Sequence, residues 1–251
     1  MNESQLRQQL ASYSRRTWER GWVANHDGNL SARLTRGRLM CTPTGRSKGE
    51  ISGDMMLVVD ETGKVLSGRL RPFSELSLHL AWYHARPDVG AVLHAHPPTA
   101  TGFGVAGVEL DRPLLPEAVV SLGPTVPLVP LARPGQEAVQ ATAPYLDEYD
   151  ALMLAGNGAV TCGVDLEMAY LRMELVEHLC RIALVARQLG SANELPAHML
   201  RPLLEARSRA GLGPEARGRS TTLPRAERAP GASGDLEQVV REEIRRVLRS
   251  E

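Results

Sequence analysis

The sequence is short of several things, and each shortage excludes a class of protein. Its 251 residues hold three cysteines, Cys41, Cys162 and Cys180. An odd number with no close-spaced pair fits neither a disulfide framework nor a cysteine zinc cluster, so the three read as reduced, mostly buried packing residues. An excess of one charge is also missing: 29 Lys and Arg balance 29 Asp and Glu. No bulk field draws the chain to nucleic acid or an anionic membrane. No apolar run approaches a membrane span, and Glu3, Arg7, Arg15, Arg16 and Glu19 interrupt the first segment. The expectation is a cytoplasmic protein with a small-molecule partner. With 43% hydrophobic and 23% charged residues, the chain has the composition of a folding domain.

Periodicity supplies the elements. Leu6, Leu10, Tyr13 and Thr17 predict an amphipathic helix stopped by Gly21. Segments 31–34 with 38–42, and 55–60 with 64–67, read as two hairpins. The run Thr42-Pro43-Thr44-Gly45 between them predicts an ordered loop. Residues 75–85 read as a helix with Leu76, Leu80 and Tyr83 inward and Ser74 as its N-cap. Residues 89–96 read as a strand with Val92, His94 and His96 on one face and Leu93 and Ala95 on the other. A short helix and a proline-rich crossing follow. Then come a helix over 137–146, strands over 151–154 and 159–162 around Gly156-Asn157-Gly158, and a long helix over 166–189.

Composition changes near residue 207, so 1–206 is read as the domain and 207–233 as a flexible linker too poor in large apolar residues to offset its ordering entropy. Leu236, Val239, Val240, Ile244, Val247 and Leu248 then predict an amphipathic helix over 234–251.

Two imidazoles at i and i+2 on one strand face, just before Pro97-Pro98, can grip one divalent cation. A lone histidine is more often a packing residue; a His-x-His pair ending an apolar strand is less often so. Glu75, at a helix mouth, is either an acid complementing the helix dipole or a proton-transfer group.

The stretch Leu93-His94-Ala95-His96-Pro97-Pro98 resembles the zinc strand of the class II aldolase/adducin family. Three more blocks match in the family's order: Gly28-Asn29-Leu30-Ser31, Thr42-Pro43-Thr44-Gly45, and Pro72-Phe73-Ser74-Glu75. The resemblance covers about residues 1–200. It implies an α/β fold, a three-layer α/β/α sandwich with a central, mostly antiparallel sheet, and a homotetramer. It also implies Asn29, Thr44, Gly45 and Ser74 as phosphate-binding residues, Glu75 as catalytic acid/base, and His94 and His96 as metal ligands. The cofactor it implies is Zn²⁺, with Mn²⁺ or Mg²⁺ as alternatives. The activity is a metal-dependent aldolase-type lyase acting on a small phosphorylated ketose through an enediolate, with epimerase and dehydratase as variants.

Departures from the pattern open a second reading. Asn157 stands where the family has its third histidine ligand, Phe73 replaces a small hydroxyl residue, His26 replaces a loop threonine, and Pro116-Glu117 falls near the place of a proton-donating tyrosine. An amide oxygen is a weaker zinc donor than imidazole, so the expected metal ligands are His94, His96 and Asn157, with Asn157 weak or outside the shell and Glu75 a candidate to complete it. The alternative is an adducin-like, non-catalytic binding protein with a degenerate site. The tail over 234–251 resembles peptides that recruit enzymes into bacterial microcompartments, which implies a shell-protein partner; a helix docking on its own tetramer, or simply fraying, is the competing reading.

Overall fold

The computed structural model describes residues 2–219. Helix α1 (Glu3–Glu19) starts at a capping box, in which Asn2 Oδ1 accepts from Gln5 N at 2.8 Å and Gln5 Oε1 accepts from Asn2 N at 3.0 Å. Gly21, at φ 68°, takes the left-handed conformation just after its end. Strands β1 (Asn29–Thr35) and β2 (Arg38–Cys41) form one antiparallel hairpin, and β3 (Leu57–Asp60) and β4 (Val65–Ser67) form the next. Helix α2 (Leu76–Ala85) leads into β5 (Ala91–Ala95), α3 (Pro98–Val105), α4 (Pro116–Ser121), the two-residue β6 (Leu128–Val129) and α5 (Gln136–Thr142). The hairpin of β7 (Ala151–Leu154) and β8 (Ala159–Gly163) precedes the long α6 (Leu166–Gln188), followed by α7 (Ala197–Arg209) and α8 (Gly213–Ala216).

The strands make one eight-stranded sheet in the order β4-β3-β2-β1-β5-β8-β7-β6, antiparallel except for β6 beside β7. Strand alternation divides their side chains between two apolar layers. On one face Leu30, Met40, Leu93 and Met153 pack against Leu10, Phe103, Tyr170 and Met173 from α1, α3 and α6. On the other, Leu39, Leu57, Val92 and Val160 pack against Leu76, Leu80 and Trp82 of α2. The result is a three-layer α/β/α sandwich around a mostly antiparallel sheet. All three cysteines are free and buried, and burial pushes each thiol up to about 12, out of the range of a reactive thiolate. No helix of the described residues is long and apolar enough to cross a membrane.

Two expectations need correction. Ser74 is exposed and is not the N-cap of α2; Glu75 holds that position at φ −91°, ψ 13°, and its side chain makes no capping bond because it is turned toward two amides. The boundary at 206/207 falls inside α7. Arg207 is buried, donating to Asp150 Oδ2 at 3.0 Å and to Val120 O at 2.9 Å. Few large apolar residues follow it, but this segment is anchored by ion pairs that composition does not reveal. Residues 220–251, which include the rest of the expected linker and the whole terminal helix, lie outside the described part.

Candidate metal and carboxylate site

Four segments far apart in sequence converge at the end of β5. The antiparallel register sets Asn29, the first residue of β1, opposite His94. The β7–β8 turn carries Asn157 up to the same place, and the mouth of α2 brings Glu75. Asn29 Nδ2 donates to Glu75 Oε2 at 3.0 Å, and Asn157 Nδ2 donates to Glu75 Oε1 at 2.7 Å. His94 Nε2 lies 3.3 Å from Glu75 Oε2. Burial pushes the Glu75 carboxyl upward, but the His94 ring and the two amides outweigh it and hold the group below the ordinary carboxylate range. Glu75 is therefore kept as an anion.

The turn at Asn157 is closed by glycine for a steric reason. Gly158 has φ 73°, and a Cβ there would stand 2.2 Å from the Ala95 carbonyl oxygen and 2.7 Å from His96 Cδ2. Only a residue without a side chain lets this turn lie against the histidine strand.

The two rings face one another. His96 Nε2 is 3.2 Å from His94 Nε2. The His94 Nδ1–H donates to the Ala159 carbonyl at 3.0 Å, leaving the Nε2 lone pair directed at His96. His96 Nδ1 in turn faces Asp27 Oδ2 at 3.6 Å. If His96 carries its hydrogen on Nδ1, toward the carboxylate, two bare Nε2 lone pairs oppose each other. If it carries it on Nε2, a bare Nδ1 opposes the carboxylate. Neutral rings thus leave a repulsion in either His96 tautomer, in addition to the bare His94 Nε2 facing the Glu75 carboxylate at 3.3 Å, and a positive charge between the rings, proton or metal ion, relieves them. Two nitrogens bound tetrahedrally to a zinc ion at about 2.0–2.1 Å would be about 3.3 Å apart. The pair fits a divalent cation on that test. A third ligand is not preassembled: among the described residues no group of three His, Cys, Asp or Glu side chains forms a metal cluster. The reason is visible in Glu75, whose two oxygens are engaged by amides, and in Asn157, which directs its NH₂ at that carboxylate.

The phosphate candidates gather less tightly. Thr44 N donates to Arg71 O at 2.9 Å and Pro43 pairs with Pro72, so the Thr44-Gly45 loop lies alongside the segment leading to Ser74. Gly45, at φ 67°, and Ser74 are both exposed. Asn29 is instead committed through Nδ2 to Glu75. Phe73 is buried and meets the His79 ring edge-on at 4.9 Å, so its bulk enters the core and not the site.

Sequence reasoning passed over Asp27 and Lys48, which sit in loops whose composition reads as turn, and His79. The His79 ring is fully buried, within 2.7 Å of Ser31 Oγ, and burial lowers its pKa to about 3. Its position four residues after Glu75 on one helix face was the available signal.

Comparison with known proteins agrees with this architecture. The model of the class II aldolase and adducin N-terminal domain matches residues 8–184. The chain is 33% identical to the 3-oxo-tetronate 4-phosphate decarboxylase of Escherichia coli K12 over 188 residues, 73% of this chain and 88% of that protein. It is 34% identical to the methylthioribulose-1-phosphate dehydratase of Methylococcus capsulatus over 172 residues, 64% of this chain and 83% of the relative. The crystal structure of YgbL from Escherichia coli superposes with a TM-score of 0.74 at 31% identity, covering 80% of this chain and 98% of that one. A family model spanning most of the folded body, the matching fold and these relatives together place the chain in the class II aldolase and adducin family.

Proposed function

We propose that the protein is a metal-assisted carbon–carbon lyase acting on a small phosphorylated keto compound, breaking the bond between the carbon next to its carbonyl and the carbon beyond it. One observation carries this reading: the facing Nε2 atoms of His94 and His96, 3.2 Å apart, meet beside a carboxylate held ionised by two amides. A divalent cation, Zn²⁺ first and Mn²⁺ or Mg²⁺ next, would be held by His94 and His96, with Asn157 or Glu75 adjacent. When bound, such an ion polarises a carbonyl and stabilises negative charge developing on its oxygen.

The chain's own groups supply the rest. Ser74, Thr44 and the backbone at Gly45 present donors to the phosphate, which needs oriented N–H and O–H groups more than bulk charge. Glu75, held as an anion by Asn29 and Asn157, takes the proton from the substrate hydroxyl as a retro-aldol bond opens, and returns one to the carbon. In a decarboxylation the carboxylate carbon leaves as carbon dioxide, its bonding pair stays on the carbon next to the carbonyl, and that carbon then takes a proton. The relatives named for decarboxylation support the second variant, and the ionised state of Glu75 supports the first.

The test is product analysis of the metal-loaded protein. A 3-oxo acid phosphate is assayed for carbon dioxide and a panel of ketose phosphates for released aldehyde, each with and without Glu75→Gln. Loss of roughly 10²–10⁴-fold in kcat is expected for that variant. No product from either class with any of the three metals would favour the non-catalytic, adducin-like reading. The homotetramer and the shell-protein partner belong to the same proposal; sedimentation and co-purification measure them.

A further inference from the structure

We infer that Asp27 is a positioning residue that aims His96 at the shared cation, and that Lys48 holds the turn on which Asp27 sits. The inference rests on the metal-site reading above and goes beyond it by assigning two residues outside the ligand set.

The Asp27 carboxylate is divided between two tasks. Its Oδ1 accepts from the backbone N–H of Ala24 at 2.6 Å, and the Asp27 N–H returns a bond to Ala24 O at 3.0 Å, which pins the side chain to its own loop. Oδ2 is thereby left facing His96 Nδ1 at 3.6 Å. The loop is stapled to the histidine strand: His96 N donates to Trp22 O at 2.8 Å. Gly28 approaches so closely that a Cβ would lie 3.2 Å from the His94 carbonyl oxygen and 2.4 Å from Val23 Cγ1.

Lys48 comes from the Thr44-Gly45 loop and is buried. Its ammonium donates to His26 O at 3.3 Å and Arg46 O at 3.1 Å, and its bridging partners in the described structure are these backbone carbonyls, one of them adjacent in sequence to Asp27. It ties the two loops flanking the site into one unit. The two rings then each have an oxygen behind them, the Ala159 carbonyl hydrogen-bonded to His94 at 3.0 Å and the Asp27 carboxylate facing His96 at 3.6 Å, and the two Nε2 atoms meet 3.2 Å apart. An outer carboxylate both fixes the tautomer of a ligating imidazole and raises its basicity.

The experiment uses the full chain and Zn²⁺ alone, with affinity read by competition against a chromophoric chelator and with metal-free thermal midpoints measured in parallel. Asp27→Asn keeps an oxygen for Ala24 but loses the charge, so the metal-free midpoint stays near wild type while Zn²⁺ affinity falls roughly 10–100-fold. Lys48→Met shifts affinity in the same direction by a smaller factor. Asp27→Ser, which also retains an acceptor for Ala24, replaces the Asn variant should that one not fold. Wild-type affinity in the Asp27 variants, with the wild type binding Zn²⁺, overturns this inference and leaves the lyase reading standing. A wild type that takes up no Zn²⁺ overturns both. Unchanged affinity in Lys48→Met removes Lys48 from the assignment.

Discussion

Asn157 Nδ2 donates to Glu75 Oε1 at 2.7 Å, joining the β7–β8 turn to the mouth of α2 across 82 residues of sequence. The position where the resemblance implies a third imidazole is thus held here by a group that supports the carboxylate. Removing it as Asn157→Ala takes away one of the contacts that hold the Glu75 carboxyl low, so its pKa should rise. On the proposed mechanism, in which Glu75 acts as the anion, the acidic limb of the pH profile of kcat/KM should move to higher pH, with activity lost first at low pH. The lost bond is one to a charged group, and the position of the limb in Asn157→Ala against wild type checks the direction.

Ser74 offers a cleaner separation of binding from stability. It is exposed and makes no cap, so Ser74→Ala should change unfolding free energy by less than about 0.5 kcal/mol. If its hydroxyl meets the substrate phosphate, KM should rise roughly tenfold or more, as expected for one bond to a charged group. Steady-state kinetics beside a urea titration checks both halves.

Gly158 should tolerate no side chain. Gly158→Ala meets a left-handed backbone costing about 1–2 kcal/mol and a clash with the Ala95 carbonyl oxygen and His96 Cδ2. Destabilisation of roughly 2 kcal/mol or more is expected, together with weakened Zn²⁺ binding because His96 must shift. Calorimetry and chelator competition measure the two effects.

The arginine cluster around Asp150 predicts the acid limit of the fold. Burial pushes the Asp150 carboxyl up, but Arg172, Arg86 and Arg207 outweigh it and the net shift is downward. A depressed carboxyl gives stability that is complete above its unfolded pKa, about 3.9, and is lost as pH falls through the folded value. Asp150→Asn should flatten that acid loss and cost about 3–5 kcal/mol at neutral pH, since it leaves buried arginines unpaired. Truncation before Arg207 should destabilise in the same direction. Urea unfolding from pH 2 to 7 tests this.

Lys48 predicts the opposite limb. Burial lowers its pKa to about 8, with Asp27 opposing. Between that value and about 10.4 in the unfolded chain, the unfolded state binds more protons, so this residue's contribution grows as pH rises. The stability of wild type relative to Lys48→Met should increase by up to roughly 3 kcal/mol from pH 8 to 10.5. A constant difference across that range would contradict it.

Much of the fold was legible before any coordinates, because its elements are specified by neighbours in sequence. The stripe of Leu6, Leu10 and Thr17 in α1, the spacing of Leu76, Leu80 and Tyr83, and the alternation of Val92 and Leu93 each depend on helical or strand period alone. The two-residue β6 was not legible, since two residues have no period, and α4 was hidden in a proline-rich crossing. The boundary at 206/207 missed Arg207 because its anchor, Asp150, lies 57 residues away.

Local chemistry in the sequence determined the two histidines on one strand face, the glycine turns and the order of the family blocks, since each involves residues a few positions apart. Tertiary structure alone decided that Asn29 and Asn157 grip Glu75, that Asp27 stands behind His96, and that Lys48 joins the flanking loops. These are contacts between segments tens of residues apart, and distance along a chain says nothing about which polar atoms the sheet register will bring within hydrogen-bonding reach.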